Sequence, residues 1–554
     1  MESHPFRFLR NLGRSREIAT VLLNHGFGDL VDRLRLRRYL KWGRMLFLRK
    51  PKDIPRRSRA ERVRLTLEDL GATYIKFGQV MSTRPDLIPA DVIDELCKLQ
   101  ENVPAFPSET AVHLIERELG ASVDTLFAEF ETEPLAAGSL AQVHRARHHD
   151  GTLLAVKIRR PQVVQRVERD LALMTELSVL IQRHVPEAEV FDPVGLVQHF
   201  ARTIRRELNF AREGRTIDEF ARLFRSDATL YVPAVYWDLT TEAVLTMELV
   251  DACRVSEREA MAANNICPRE IAANGAHIFM KMAFEFGVFH GDPHPGNIRI
   301  FPDGSIALLD YGMVGLLEEE KREQLVDLFM AITRQDVRTA VNVIQSVGEP
   351  YRQIDVPLLR ADVRDFVENY YGLPLERLNI GNMLTDFVSI LLNHRIRCPG
   401  DLMLLIRALV TLEGVGRDLD PQFNLASELA PHVERIVRER YNPKRVTSRL
   451  LEESHTLLRL AHTMPRNLGT TLEKLSKNEL QIQMQHTGIE HLISELDRSS
   501  NRLVIGLVLS SLIVASALII RTGADILWFS IPAFVLSSLL GIWLIYGVFR
   551  SGRL

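Results

Sequence analysis

Between His290 and Asp310 the chain reads H-G-D-P-H-P-G-N, then I-R-I-F-P-D-G-S-I-A-L-L, then D-Y-G at Asp310 to Gly312. Asp292 and Asn297 are separated by four residues, on a stretch that Pro293, Pro295 and Gly296 keep from being helical. Asp310 closes a short apolar run of strand character. Two carboxylates and one carboxamide in this order suit transfer or hydrolysis of a phosphoryl group. One carboxylate orients the attacking oxygen, and the carboxamide with the second carboxylate supplies hard oxygen ligands for magnesium.

Those three residues need a scaffold, and the flanking sequence predicts one. Asp303-Gly304 is a turn signal between Ile298 to Phe301 and Ile306 to Leu309, so a hairpin separates the loop from Asp310. Upstream, P-L-A-A-G-S-L-A-Q-V leads through a turn at Asp150-Gly151 into L-L-A-V-K-I. Small residues at Ala136, Ala137, Gly138 and Ser139 allow close backbone approach to phosphates, and Lys157 on the next strand can contact them. The helix opened by Asp192-Pro193 carries Glu207 and Glu213, six residues apart and therefore on roughly opposed faces; Glu207 is available to hold Lys157. Strands are expected over Tyr231 to Tyr236 and Glu242 to Val250, with Thr246, Met247 and Glu248 where a hinge would meet adenine. The order of parts is that of a two-lobed protein-kinase-like α+β fold. Its catalytic loop follows a helix from Pro268 to about Phe286. A further helix starts at Glu318, so little room remains for an activation segment, and no A-P-E follows.

The 554-residue chain is long enough for such a domain with large additions, and a formal net charge of -2 gives no global case for nucleic acid as a partner. Thirteen Lys/Arg between Arg33 and Arg62, against Asp53 and Glu61, read as a basic helical face able to meet anionic lipid. Cys97, Cys253, Cys267 and Cys398 show no metal or disulfide spacing and point to a reducing compartment. No secretory signal is expected, since Met1 to Leu30 is polar, carries charges throughout and lacks an apolar core. Near the chain's other end, Leu503 to Ile520 is eighteen residues without a charge and Ile526 to Phe549 is twenty-four. At ~1.5 Å per residue each can cross a hydrocarbon core. Arg498, Arg502, Arg550 and Arg553 flank the pair, so a transmembrane hairpin with both ends in the cytoplasm is expected.

Six regions follow: a basic helical segment over 1–60, helices over 61–125, an N-lobe over 126–250, a C-lobe with helical extension over 251–440, a helical linker over 441–500 and the membrane pair over 501–550. In the second region Lys76 and Gln79, three residues apart, share a helix face.

With these residues in place, the chain resembles the UbiB (AarF/ADCK-like) family of atypical protein-kinase-like proteins from about Arg62 to Asp420. The family's K-x-G-Q is Lys76 to Gln79, its Ala-rich loop is Ala136 to Ser139, its strand Lys is Lys157, and its E-x-D-Y-x-x-E-A element falls at Glu207 to Gly214 with Asn209 in place of Asp. Its H-x-D-x-H-P-G-N is His290 to Asn297, and its metal-binding Asp is Asp310. The resemblance implies that the K-x-G-Q helix folds across the active site, making Lys76 and Gln79 site residues and blocking a protein substrate. It implies that Glu207 pairs with Lys157 while Glu213 helps hold the K-x-G-Q helix. It also implies ATP and Mg2+ as cofactors, ATP hydrolysis tied to ubiquinone biosynthesis, isoprenoid quinone precursors and other biosynthetic proteins as partners, and an inner-membrane location with the catalytic part facing the cytoplasm. Gly138, where the family has Ala, is expected to loosen the loop.

Two other readings stand beside this one. H-G-D-x-H-x-G-N without Arg also resembles small-molecule phosphotransferases, which would make the chain a small-molecule or lipid kinase. A non-catalytic scaffold using nucleotide as a conformational ligand is the other; the complete set Lys157, Asp292, Asn297 and Asp310 argues against it.

Overall fold

In the computed structural model the described residues are 12–34, 57–82, 88–99, 104–185, 192–350, 354–371, 378–429, and single positions beyond. The chain divides into two units, Met1–Val446 and Thr447–Leu554.

The first unit opens with helices α1 (Leu12–Asn24), α2 (Arg59–Leu70), α3 (Ala72–Ser82) and α4 (Ala90–Leu96). Ser58 caps α2, its hydroxyl accepting from the Glu61 amide as small hydroxyl residues do at helix starts. Helix α5 (Ser108–Leu119) then lies over a four-stranded sheet ordered β1 (Glu129–Ala137), β2 (Ala141–Arg147), β3 (Leu153–Arg159) and β5 (Val244–Glu248), all antiparallel. Leu154, Val156 and Ile158 of β3 are fully buried with Ile115 of α5 and Phe127, as period-two alternation requires, so Ala155 and Lys157 face the other side. That other side packs against the helix that carries Glu213.

Helix α6 (Val163–His184) packs along α7 (Pro193–Glu207), and α8 (Phe210–Leu223) follows after a break. The single helix expected here is two, because Leu208 ends α7 and Asn209 adopts an extended conformation and caps α8, its side chain accepting from the Arg212 amide at 3.1 Å. The strand expected over 231–236 is limited to β4 (Leu230–Tyr231) and a bridge of Val235 to Met247.

A second small sheet has the order β4, β9 (Ile306–Leu308), β8 (Ile298–Ile300) and β6 (Cys253–Arg254), with β8 and β9 the anticipated hairpin. Helix α9 (Pro268–Met280) runs beneath it, passes into a π-helical turn at Lys281–Phe286, and delivers β7 (Val288–His290), which pairs with β10 (Val314–Leu316). That pairing closes the chain four residues after Asp310, and α10 (Glu319–Thr333) begins at once, so no activation segment intervenes. Helices α11 (Val337–Val347), α12 (Val356–Tyr370), α13 (Ile380–Asn393) and α14 (Gly400–Leu419) complete the extension. Leu412 and Val415 of α14 share one core with Ala276 of α9, so extension and C-lobe are one hydrophobic body.

Most of the basic run over 33–62, the linker over 441–500, half of the first apolar stretch and most of the second lie outside the described residues. No helix among the described residues is long and apolar enough to cross a membrane. In the second unit, the positions described include helical Leu503, Leu507, Val514 and Leu518, all exposed.

Candidate active site

Lys157 sits mid-strand between Val143 and Leu245, so its backbone is fixed from both sides. Its ammonium donates to both oxygens of Glu213, at 2.8 and 2.9 Å, and lies 5.2 Å from the centre of the Phe210 ring. Glu213 is one turn into α8, and Asn209 sets that turn. Glu207 ends α7 and pairs with Lys76 at 2.7 Å. The implied pairing is therefore exchanged: Glu213 holds Lys157, and Glu207 holds the K-x-G-Q helix. The helix break is the physical reason, since a continuous helix and two helices split at Asn209 aim these side chains differently.

Helix α3 reaches Glu207 by close packing. Phe77 meets Phe200 of α7 edge to face with ring centres 5.3 Å apart, a contact of about 0.5–1.5 kcal/mol. A Cβ on Gly78 would stand 2.4 Å from Leu99 Cδ1 and 2.8 Å from Leu67 Cδ1, so any side chain here would have to displace the tips of both leucines. Gln79 does not join Lys157; its amide donates to the Leu99 carbonyl at 3.2 Å and ties α3 to the end of α4.

Asp310 completes the charged set. Its Oδ1 is 3.8 Å from Lys157 Nζ and accepts from the Gly312 amide at 2.9 Å, and its side chain remains 52% exposed toward the cleft. Lys157 holds this carboxyl well below the usual range against the opposing effect of burial. Burial opposes the charge on Lys157, yet Asp310 and Glu213 together hold its pKa above the ordinary lysine value. Glu213 is the strained member: burial pushes its carboxyl up to about 7 although Lys157 pulls it down.

The catalytic loop is organised by His290, which is 1% exposed. Its Nδ1 accepts from the Asp292 amide at 3.2 Å and its Nε2–H donates to the Asp310 carbonyl, so one neutral ring joins the two acidic positions. Burial lowers the pKa of His290, which keeps it in that neutral form. Asn297 donates from Nδ2 to the Asp292 carbonyl at 3.2 Å, and its own carbonyl accepts from the Leu309 amide at 3.0 Å. The Asn297 Oδ1 thus remains for a cation. It and the Asp310 carboxylate are hard oxygen donors of the kind magnesium takes. Among the described residues no group of three or more His, Cys, Asp or Glu could hold a metal by itself.

The small-residue loop is firm rather than loosened. The Gly138 amide donates to the Ala141 carbonyl at 2.8 Å, and Arg160 Nε donates to the Gly138 carbonyl at 2.7 Å. Ser139 is buried, and Ala136 and Ala137 end β1 in register with Val143 and Gln142. Glu248 lies at the end of β5, but its amide already donates to the Ala234 carbonyl at 2.9 Å. That N–H is therefore not the one a hinge would offer to adenine.

Sequence reasoning missed Asn209 as a helix cap, Phe210 against the Lys157 ammonium, and His290 as a bridge. The first was legible, since Asn before Phe-Ala-Arg-Glu is a capping pattern. The other two depend on contacts across elements and carry no local signal.

A two-lobed fold with a strand lysine, a helical glutamate, and a loop Asp–Asn followed by a further Asp defines an atypical protein-kinase-like protein. Family models agree: the ABC1 atypical kinase-like domain matches residues 98–344, the UbiB helical domain 363–424, and the ABC1/UbiB kinase-like C-terminal domain 487–550. A curated relative from Xylella fastidiosa (strain 9a5c), named "Probable protein kinase UbiB", is 32% identical over 537 residues, covering 96% of this chain and 97% of its own. A relative of the same name from Xanthomonas oryzae pv. oryzae (strain MAFF 311018) is 33% identical over 517 residues, covering 91% and 93%. The chain belongs to the UbiB family. Among solved structures it is distantly similar to the Mycobacterium tuberculosis protein Rv3197, determined with erythromycin, at 21% identity and a TM-score of 0.47 over 66% of this chain and 92% of that one.

Proposed function

We propose that this protein is a membrane-anchored, Mg-ATP-dependent atypical kinase or ATPase that serves the synthesis of ubiquinone or a related isoprenoid quinone. The observation that carries the reading is the charged set itself: Lys157 is clamped by Glu213 and stands 3.8 Å from Asp310. Lys157 would contact phosphates, Asn297 and Asp310 would hold magnesium, and Asp292 would orient a water or hydroxyl. Bound magnesium would neutralise charge building on the phosphates. By the family resemblance, helix α3, fixed by Lys76 to Glu207, would lie across the site and block a protein substrate. A small or lipid-borne acceptor, or water, is the favoured partner for that reason.

The quinone role rests on the family name carried by the relatives. Membrane attachment rests on the two apolar stretches and on exposed leucines at the helical positions described there. ATP turnover by the purified full chain in liposomes, with and without a polyprenyl-phenol precursor, tests the reading. Turnover that rises with the precursor and vanishes in Asp292→Asn is expected. Tight nucleotide binding with no turnover in wild type or variant would favour the scaffold.

A further inference from the structure

Strand β1 delivers the loop Ala136 to Ser139, yet its ladder holds it unevenly. It is an edge strand of its sheet, and its register with β2 slips twice just before the loop. The four steps from Phe130 to Pro134 meet two from Ala146 to His144, and a second shift falls between Pro134 and Ala136. Irregularities of this kind interrupt the pairing and bend the strand. The ladder alone leaves the course of β1 underdetermined at the point where the loop begins.

Two side chains on the face of β2 away from Lys157 supply what the ladder lacks. Gln142 and His144 are both fully buried, and the proposed chemistry uses neither. Gln142 Oε1 accepts from the Phe106 amide at 3.0 Å. Its Nε2 donates to His144 Nε2 at 2.8 Å, and His144 Nδ1–H donates to the Glu131 carbonyl at 2.9 Å, inside the first slip. The relay begins on a backbone N–H and ends on a backbone carbonyl, whose roles are fixed, so every hydrogen between them is assigned. The ring is therefore neutral with its proton on Nδ1, and burial lowers its pKa in the same sense. The Phe130 ring stacks on it with centres 5.1 Å apart. Beside it the Ser108 hydroxyl, at the start of α5, donates to the Thr132 carbonyl at 2.7 Å.

A second tie meets the same stretch of chain. Arg160 donates to the Gly138 carbonyl at 2.7 Å and to the Pro104 carbonyl at 2.8 Å, and lies 5.5 Å from the centre of the Phe106 ring. The strap Pro104 to Phe106 is thus held to β2 through Gln142 and to the loop through Arg160. Strap, relay and loop form one frame behind the sheet.

We propose that Gln142 and His144 are positioning residues for nucleotide binding: without touching the nucleotide, their relay sets the course of β1 and holds the loop Ala136 to Ser139 where it can meet phosphates. This rests on the nucleotide reading above. The reacting groups Asp292, Asn297 and Asp310 belong to other elements, so the relay acts on affinity and leaves the chemical step alone.

The test uses the full chain in nanodiscs and the variant H144F, which keeps an aromatic ring against Phe130 and removes both hydrogen bonds. Without nucleotide, amides over 130–141 should exchange roughly tenfold faster than in wild type, while those of β3 and β5 are unchanged. In steady-state turnover the KM for ATP should rise roughly tenfold with kcat unchanged. H144N, whose amide can still donate to the Glu131 carbonyl, should restore both. R160Q opens the same frame from the strap side and gives the same readouts if H144F does not fold. A variant that is merely less stable loses active protein, so kcat falls and KM stays. That result, unchanged exchange over 130–141, or faster exchange with an unaltered KM overturns the proposal. If the wild type neither binds nor turns over ATP, the nucleotide reading fails and this proposal's affinity arm with it, while faster exchange in H144F still upholds the relay's hold on the loop.

Discussion

The Lys157 ammonium donates to Glu213 at 2.8 Å, while Glu207, six residues earlier, reaches out to Lys76 at 2.7 Å. The two glutamates therefore serve different helices. One fixes the strand lysine from within the kinase-like core, and the other fastens α3 to the flank of the cleft.

Exchanging these roles gives separable variants. Glu213→Gln removes one charge of a buried pair and leaves the Lys157 ammonium with Asp310 alone, so weaker nucleotide binding is expected. Glu207→Gln should leave the Lys157 pair intact and act only through Lys76. A double-mutant cycle with Lys76→Met checks this: the double variant should match either single one, and full additivity would sink the assignment.

The pH dependence of stability follows from Glu213. Its folded pKa, about 7, lies above the ordinary glutamate value of 4.5. A carboxyl raised in this way contributes stability that is complete below the unfolded pKa and is lost as pH rises through the folded one. Between these values the wild type should lose stability relative to Glu213→Gln as pH increases, with the difference levelling off above about pH 7–8. Chemical unfolding of both proteins across that range measures it, and a pH-independent difference counts against the raised pKa.

Asp292 and Asp310 differ in surroundings and should differ in phenotype. Asp292→Asn preserves the charge balance around Lys157 and is expected to retain nucleotide while losing turnover by about 10²-fold or more. Asp310→Asn withdraws the charge nearest Lys157, so magnesium-dependent nucleotide affinity should fall. Binding assays with and without magnesium separate the two.

His290→Phe fills a similar space but abandons the Asp292 amide and the Asp310 carbonyl together. Two partly buried backbone groups then lose their partners, at up to about 1–3 kcal/mol each. Lower stability and reduced turnover are expected together, and a variant of wild-type stability would show that the bridge is not needed.

Gly78→Ala places a methyl group against the tips of Leu99 and Leu67. Overpacking of about 1–3 kcal/mol is expected, with α3 shifted off Glu207. Protease protection of the α3 segment relative to the sheet reports that shift.

Much of this protein was legible residue by residue. Asp292, Asn297 and Asp310 declare themselves by type and spacing, the β8–β9 hairpin by Asp303-Gly304, and Lys157 by its place in L-L-A-V-K-I, because loops, turns and strand alternation are local properties of the chain. Local signals also excluded an activation segment. The pairing of Lys157 was different. It turned on whether α7 continues past Leu208, and a weak preference at Asn209 decides that only because Phe210 is then buried beneath β3 and β5. Likewise, nothing near Gln79 in sequence shows that it faces Leu99, nor anything near His290 that its ring joins two acidic positions. These are contacts between segments tens of residues apart, fixed when the core closes, so only the tertiary structure could decide which charge meets which.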